Sequence, residues 1–307
     1  MENKKKIYLQ KFVYIFGFSL GILALFLTLR NIDWVLFFSN VKKINLTWLF
    51  PIISLNFIIF WFKAKRWQLV FRPIKPLSMM MMYKTVVAGY MASNISPTRL
   101  GEVVTVYYLS KKTKVSRVIV AGTLFAERII DWLSFLLLIT ALVFFTEVPE
   151  WLRLGVTSIW GLTIFLYGFS LFYLRRNPSK VFFQKLQRGI QSLRSSKLTA
   201  LSLLVSLAGW FFQGLMVYWI HVAFSIILPF WSVILILVSV HLAMAIPTTP
   251  AQIGVFEYAC VLSYLALGID ENMGILLGFV FHFLQVIPNL LIGFLFFIPI
   301  KKILYDR

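Results

Sequence analysis

The chain has 307 residues, 60% of them hydrophobic and 13% charged, and 30 basic against 11 acidic residues give it a formal net charge of +19. A soluble domain of this length exposes more polar surface, and apolar runs near the ~20 residues of a bilayer-crossing helix recur along the sequence. These runs lack the period-2 alternation of a membrane β-barrel, so the composition predicts an all-α polytopic integral membrane protein. The single cysteine, Cys260, excludes an intramolecular disulfide, and three scattered histidines with no CxxC pair offer no metal-ligand spacing. No cofactor or metal is expected, and no residue is singled out as catalytic.

In chain order, the basic stretch MENKKKIYLQK enters a long apolar run with no small-residue cleavage site, which predicts a retained first helix. Further apolar segments fall at about 46–62, 77–97, 103–110, 118–145, 152–174, 198–221, 231–246, 251–268 and 273–300. The N-terminus, 63–75, 111–117, 175–197 and the C-terminus hold 23 of the 30 basic residues. The opposite connections hold four: Arg30, Lys42, Lys43 and Arg153. Basic loops face the cytoplasm, so both termini are expected there, in a plasma membrane.

That asymmetry makes 77–110 enter and leave by one side, with a break near Ser96-Pro97. The same logic makes 231–268 a second broken hairpin, entering from the opposite side and interrupted at Pro247-Thr248-Thr249-Pro250. About six full spans plus two re-entrant or broken hairpins result, or seven or eight spans by hydropathy. Within 178–197, Phe182, Leu186, Ile190 and Leu193 recur at helical spacing with Lys185, Arg188 and Arg194 between them. This predicts an amphipathic connector on the cytoplasmic surface.

The two breaks resemble each other. Residues 96–101 read SPTRLG and 249–254 read TPAQIG, 153 positions apart, with Glu102 and Glu257 following. The order of spans around them also agrees, so the chain is expected to be one membrane domain with pseudo-repeat halves of about 1–150 and 151–307. Opposite entry sides would make this an inverted-topology repeat, in which interrupted segments mark a substrate site near the midplane. Pro suits the first turn of a helix and a preceding Ser or Thr can cap it, so Ser96-Pro97 and Thr249-Pro250 are each expected to open a half-helix. Free N–H groups there would favour an anion. Gly101 and Gly254 would permit close approach of a helix or a headgroup.

Six charged groups lie within apolar stretches: Arg99, Glu102, Glu127, Arg128, Asp131 and Glu257. Each costs ~2.5–3.5 kcal/mol at a helix centre, so they should face inward and pair. Glu127 and Asp131 share a helix face, and Arg128 is spaced to bridge to Asp131. A structural ion-pair network is the alternative to substrate binding. His221, His241 and His282 are expected to be satisfied within helix packing. The candidate substrate-binding or transport residues are therefore Ser96, Arg99, Gly101, Glu102, Glu127, Arg128, Asp131, Thr249, Pro250, Gln252, Gly254 and Glu257.

The block RLGEVVTVYYLSKKTKVSRVIVAGTLFAERIIDWLSFLLLI carries a G-E, a basic loop and an E-R-x-x-D in order, and PTTPAQIGVFEYACVLSYLALGI carries a P-x-x-x-G-x-x-E. Together they resemble the flippase-like transmembrane domain of lysylphosphatidylglycerol synthases, over essentially the whole chain. Members of that group commonly have P-G-G-x-G at the second break, where this chain has Pro250-Ala251-Gln252-Ile253-Gly254. The resemblance implies a stand-alone prokaryotic relative that moves a lipid between leaflets, such as aminoacylated phosphatidylglycerol or another polar or polyprenyl lipid. The full-length synthases carry a separate soluble aminoacyltransferase domain. This chain ends at Arg307 soon after its last span, so aminoacyl transfer by it is not expected. No G-x-x-x-x-G-K-[ST] motif suggests ATP drive. The alternative is a membrane subunit of a lipid-modifying synthase, with a separate soluble transferase as partner. Nucleic acid is not an expected partner.

Overall fold

The structure, a computed structural model, describes residues 2–96, 100–145, 150–175, 180–245 and 248–305. All regular structure among them is helical. Helix α1 (Glu2–Leu29) meets the short α2 (Trp34–Val41) at an 86° bend. Asp33 sets the start of α2, its Oδ1 accepting the N–H groups of Val35 at 2.9 Å and Leu36 at 3.0 Å. A 3-10 turn (Leu46–Trp48), capped by Asn45, leads into α3 (Leu49–Phe71). Then come α4 (Met79–Ile95), α5 (Leu100–Thr113) and the long α6 (Arg117–Phe145).

From residue 150 the same order returns. Long α7 (Glu150–Arg175) is followed by short α8 (Val181–Gly189), a 3-10 turn (Gln191–Arg194) and long α9 (Ser196–Ala223). Two short helices, α10 (Trp231–Ala243) and α11 (Val255–Ala266), precede the long α12 (Glu271–Tyr305). Three stretches are long and apolar enough to cross a bilayer, 46–71, 196–223 and 271–296, and the bent pair α1–α2 makes a fourth among the described residues. Helix α6 has the length but carries Glu127, Arg128 and Asp131.

The chain folds into two compact units, each assembled from both ends of this order. The first contains residues 1–54, 90–101 and 214–291, hence α1, α2, α10, α11 and most of α12. Its core includes Ile220, Ile236, Phe256, Tyr264, Ile275 and Phe281. The second contains residues 55–89, 102–213 and 292–307, hence most of α3, α5, α6, α7, α8 and most of α9. Its core includes Trp67, Phe71, Met82, Leu109, Ile130 and Leu136.

Two expectations about the connectors are corrected. The basic stretch 63–75 is a loop only beyond Phe71, because α3 runs on to that residue and carries Lys63, Lys65 and Arg66 within it. The stripe through 178–197 is not one surface helix. It breaks at Gly189, which lies against Gly122 of α6 so closely that a Cβ on Gly189 would stand 2.6 Å from the Ile119 carbonyl and 2.8 Å from Gly122 Cα. Beyond that contact Ile190 and Leu193 turn inward and are buried, while Val181, Phe182 and Phe183 stay exposed beside Lys185 and Arg188. Gly122→Val is therefore expected to detach α8 from α6 and lower the thermal midpoint of the detergent-purified protein, whereas Phe182→Ser should leave it nearly unchanged. Equal midpoints for the two variants would refute this packing.

Candidate functional site

In the second unit a guanidinium sits among carboxylates. Arg66, only 3% exposed, reaches from α3 to α6. Its Nε donates to Glu127 Oε1 at 2.8 Å and Nη2 donates to the same oxygen. Nη1 donates to Asp131 Oδ1 at 2.5 Å and to Ser206 Oγ at 2.6 Å. Ser206 and Trp210 of α9 each donate to Asp131 Oδ1, at 3.1 and 3.2 Å. The cluster ties three helices together, and burial makes each partner depend on the others.

By charge count alone, Arg66 belongs with the basic residues of a cytoplasmic loop. It continues the buried stripe of Ile59, Leu69 and Val70, spaced seven before and three and four after it, and that pattern was the available signal. Its presence corrects the expected Arg128–Asp131 bridge. Asp131 is bonded to Arg66, while Arg128, near enough to act on Asp131 electrostatically, has Nη2 donating to Glu102 Oε1 at 3.1 Å and Nε 3.7 Å from Glu127 Oε2. The Glu102–Arg128 pair is accessible, with side chains 46% and 35% exposed.

In the first unit the second break has an irregular shape. Pro250 opens only a three-residue 3-10 turn, Pro250–Gln252, and α11 starts at Val255. The expected half-helix start at Thr249-Pro250 is thus displaced by five residues. Thr249 does not cap it, because its hydroxyl donates to the Ile253 carbonyl at 2.5 Å. Ala251 and Gln252 have φ of +51° and +63° and Gly254 has φ +97°. A non-Gly residue in this region costs ~1–2 kcal/mol. Ala251→Gly is accordingly expected to stabilise the protein by ~1 kcal/mol, read as a raised unfolding midpoint; a lowered one would contradict the left-handed turn. The Gln252 Oε1 and Thr248 Oγ1 atoms are buried with no hydrogen-bond partner among the described residues.

Gly254 permits the close approach expected of it. A Cβ there would collide with the Gly21 carbonyl of α1 and stand 2.9 Å from Leu25 N. Its N–H donates to Glu257 Oε2 at 2.7 Å. The helix end expected to hold a free anion is thus occupied by the chain's own carboxylate. Glu257 Oε1 also lies 2.6 Å from His282 Nδ1, and His282 Nε2 lies 3.0 Å from the Ala251 carbonyl. His282 stacks on Phe256 at 4.2 Å between ring centroids. His282 is buried and partnered within the helix packing, as expected, and one of its partners is a carboxylate.

At the first break Ser96 follows α4, half-buried, with its N–H donating to the Ala92 carbonyl at 3.2 Å. Gly101 is buried in the first turn of α5. Pro97, Thr98 and Arg99 lie outside the described residues, as does Pro247, and so does any role for Arg99.

The two breaks share a register that the sequence offset hid. Glu102 lies in the first turn of α5 as described, and Glu257 in the first turn of α11. Arg128 is the twelfth residue of α6 and His282 the twelfth of α12. In each case a carboxylate in the first turn of a short helix is bonded to a nitrogen side chain near the middle of the next long helix.

Long apolar helices, interrupted segments and charge clusters along them define a helical integral membrane protein of the polytopic kind. The chain belongs to the family described as the lysylphosphatidylglycerol synthase TM region, which matches residues 14–293. It is similar to the UPF0104 membrane protein MJ1078 of Methanocaldococcus jannaschii, 28% identical over an alignment of 223 positions that covers 68% of this chain and 94% of that one. No solved structure matches it.

Proposed function

We propose that the protein moves a phospholipid between the leaflets of the cell membrane, and that its headgroup carries both a phosphate and an amine. The observation that carries this reading is the accessible Glu102–Arg128 pair at the first break. An accessible carboxylate–guanidinium pair complements a zwitterionic headgroup: Arg128 presents donors to a phosphate and Glu102 accepts from an ammonium. Ser96 and Gly101 stand on the same break. Aminoacylated phosphatidylglycerol has that chemistry, in keeping with the family to which the chain belongs. The buried Arg66–Glu127–Asp131 cluster is given the structural role.

The proposed topology is an inverted repeat of about six spans and two interrupted hairpins, with both termini in the cytoplasm. The recurrent element order and the first-turn Glu of both α5 and α11 support the repeat, and the one-sided distribution of basic residues supports the orientation.

The test is transbilayer movement in proteoliposomes made with the purified chain. Labelled aminoacylated phosphatidylglycerol should move faster than in empty vesicles. Glu102→Gln and Arg128→Gln should each slow it about tenfold, equivalent to ~1.4 kcal/mol. Glu102→Gln should spare the movement of plain phosphatidylglycerol relative to Arg128→Gln. Movement no faster than in empty vesicles for every lipid tried would refute the proposal.

A further inference from the structure

His282 stands between two acceptors. Nδ1 faces a carboxylate oxygen of Glu257 at 2.6 Å and Nε2 faces the Ala251 carbonyl at 3.0 Å. A neutral imidazole has one N–H and cannot donate to both. Both contacts are satisfied only when the Glu257–His282 pair holds one proton beyond a carboxylate and a neutral ring. The species is then an imidazolium beside a carboxylate, or a neutral ring accepting from a carboxylic acid. We propose that this pair is a proton-binding site, and that its proton latches the second break in its left-handed form.

The latch follows from what the pair holds. The ring donates to the carbonyl of Ala251, which sits at φ +51°. The carboxylate accepts from Gly254 N–H, at φ +97°. The two ends of the strained turn are therefore tied to one proton-dependent pair. Loss of the proton to water sets an acceptor against an acceptor at one of the two ring contacts, and the turn loses a tie that offsets its strain. With side chains 4% and 1% exposed, the pair can exchange its proton only as the turn moves.

The matching pair at the first break sharpens the assignment. Arg128 stands at the corresponding place on its helix and, unlike a histidine, does not deprotonate. Of the two pairs, the one with histidine has a nitrogen partner that can itself gain and lose a proton. Among the other titratable groups of this unit, Cys260 lies within electrostatic reach of Glu257, while His241 and Tyr264 are bonded elsewhere. Helix α1 has none between residues 15 and 29. His241 of α10 places Nδ1 at 2.8 Å from the Leu237 carbonyl of its own helix. On α11, Cys260 is buried one turn from Glu257, and Tyr264 is bonded to His221 Nε2 at 2.9 Å. Asp270 and Glu271 lie at the start of α12, three turns away.

As a coupling site for lipid movement the pair rests on the transport reading above; as a proton site it does not. The experiment labels the histidine nitrogens of the whole protein in nanodiscs and follows them by nuclear magnetic resonance between about pH 5 and 8, with His282 assigned by comparison with His282→Gln. Infrared difference spectra of wild type and Glu257→Gln report the carboxyl group over the same range. Hydrogen exchange across 249–256, corrected for intrinsic pH dependence, reports the turn. Expected is one proton lost from the pair as pH rises, with exchange across 249–256 increasing severalfold over the same interval. In His282→Gln exchange should be fast at every pH. A pair that keeps its protonation state throughout, or a turn whose exchange ignores the titration, overturns the proposal. In proteoliposomes a pH gradient should speed lipid movement severalfold for wild type and not for His282→Gln. Lipid movement that ignores the gradient would remove the coupling role, and an inactive wild type would remove the transport reading, while the spectra judge the proton site by themselves.

Discussion

Arg66→Met is expected to destabilise the protein by about 3–5 kcal/mol, enough to prevent recovery of folded material at ordinary temperatures. The physical reason is what the change leaves behind. Glu127, buried, and Asp131, with 21% of its side chain exposed, lose the guanidinium that satisfies three of their contacts. Ser206 and Trp210 still donate to Asp131, but two hydroxyl or indole hydrogen bonds do not neutralise two carboxylates. The triple variant Arg66→Met, Glu127→Gln, Asp131→Asn removes all three charges together. It should recover most of the loss, because a neutral set of similar volume has no buried charge to compensate. Thermal unfolding of the detergent-purified variants measures both. A single variant as stable as wild type would mean that the cluster is hydrated, and a triple variant no better than the single would mean that packing and not charge decides.

Gly254→Ala is expected to cost about 2–5 kcal/mol, the sum of ~1–2 for a left-handed non-glycine residue and ~1–3 for overpacking. The added methyl would enter the backbone of α1 at Gly21 and Leu25, and backbone cannot rotate out of the way. The proper controls are Gly161→Ala and Gly168→Ala on α7, where a Cβ meets nothing within 4 Å. Those should hold or raise stability, because alanine is favoured over glycine by ~1 kcal/mol in a helix. Lipid movement should fall with Gly254→Ala even at temperatures where the variant remains folded, since the turn at 250–254 is displaced. Full stability of Gly254→Ala would show that α1 does not approach the break so closely.

Much of the helical pattern was legible before any coordinates. The expected bounds 118–145, 152–174 and 198–221 fall within two residues of α6, α7 and α9 at each end. Bilayer-length apolar runs flanked by charge leave little choice, because a backbone in lipid must satisfy its own hydrogen bonds. Errors gathered where apolar and charged residues mix. Charge alone groups Arg66 with its basic neighbours because a charge count cannot tell a loop from a helix end, although its spacing from Ile59, Leu69 and Val70 could. The stripe through Phe182, Leu186, Ile190 and Leu193 suggested one face, yet Gly189 against Gly122 splits it, and no periodicity records a contact with another helix.

The breaks show the same division. The sequence alone determined that the chain is a helical membrane protein, that helix gives way in two places (among the described residues it stops before Ser96 and is irregular over 248–254), and that its intramembrane charges must find partners. Those conclusions rest on local quantities: hydrophobicity per residue, the missing N–H of proline and the cost of a charge in lipid. Tertiary structure decided which partners they find. It brought Arg66 to Glu127 and Asp131 across 61 and 65 residues of chain, gave Arg128 to Glu102, and set His282 between Glu257 and the Ala251 carbonyl. Pairing across packed helices depends on helix rotation and depth, and a shift of one residue turns a side chain by about 100° and sends it to another neighbour.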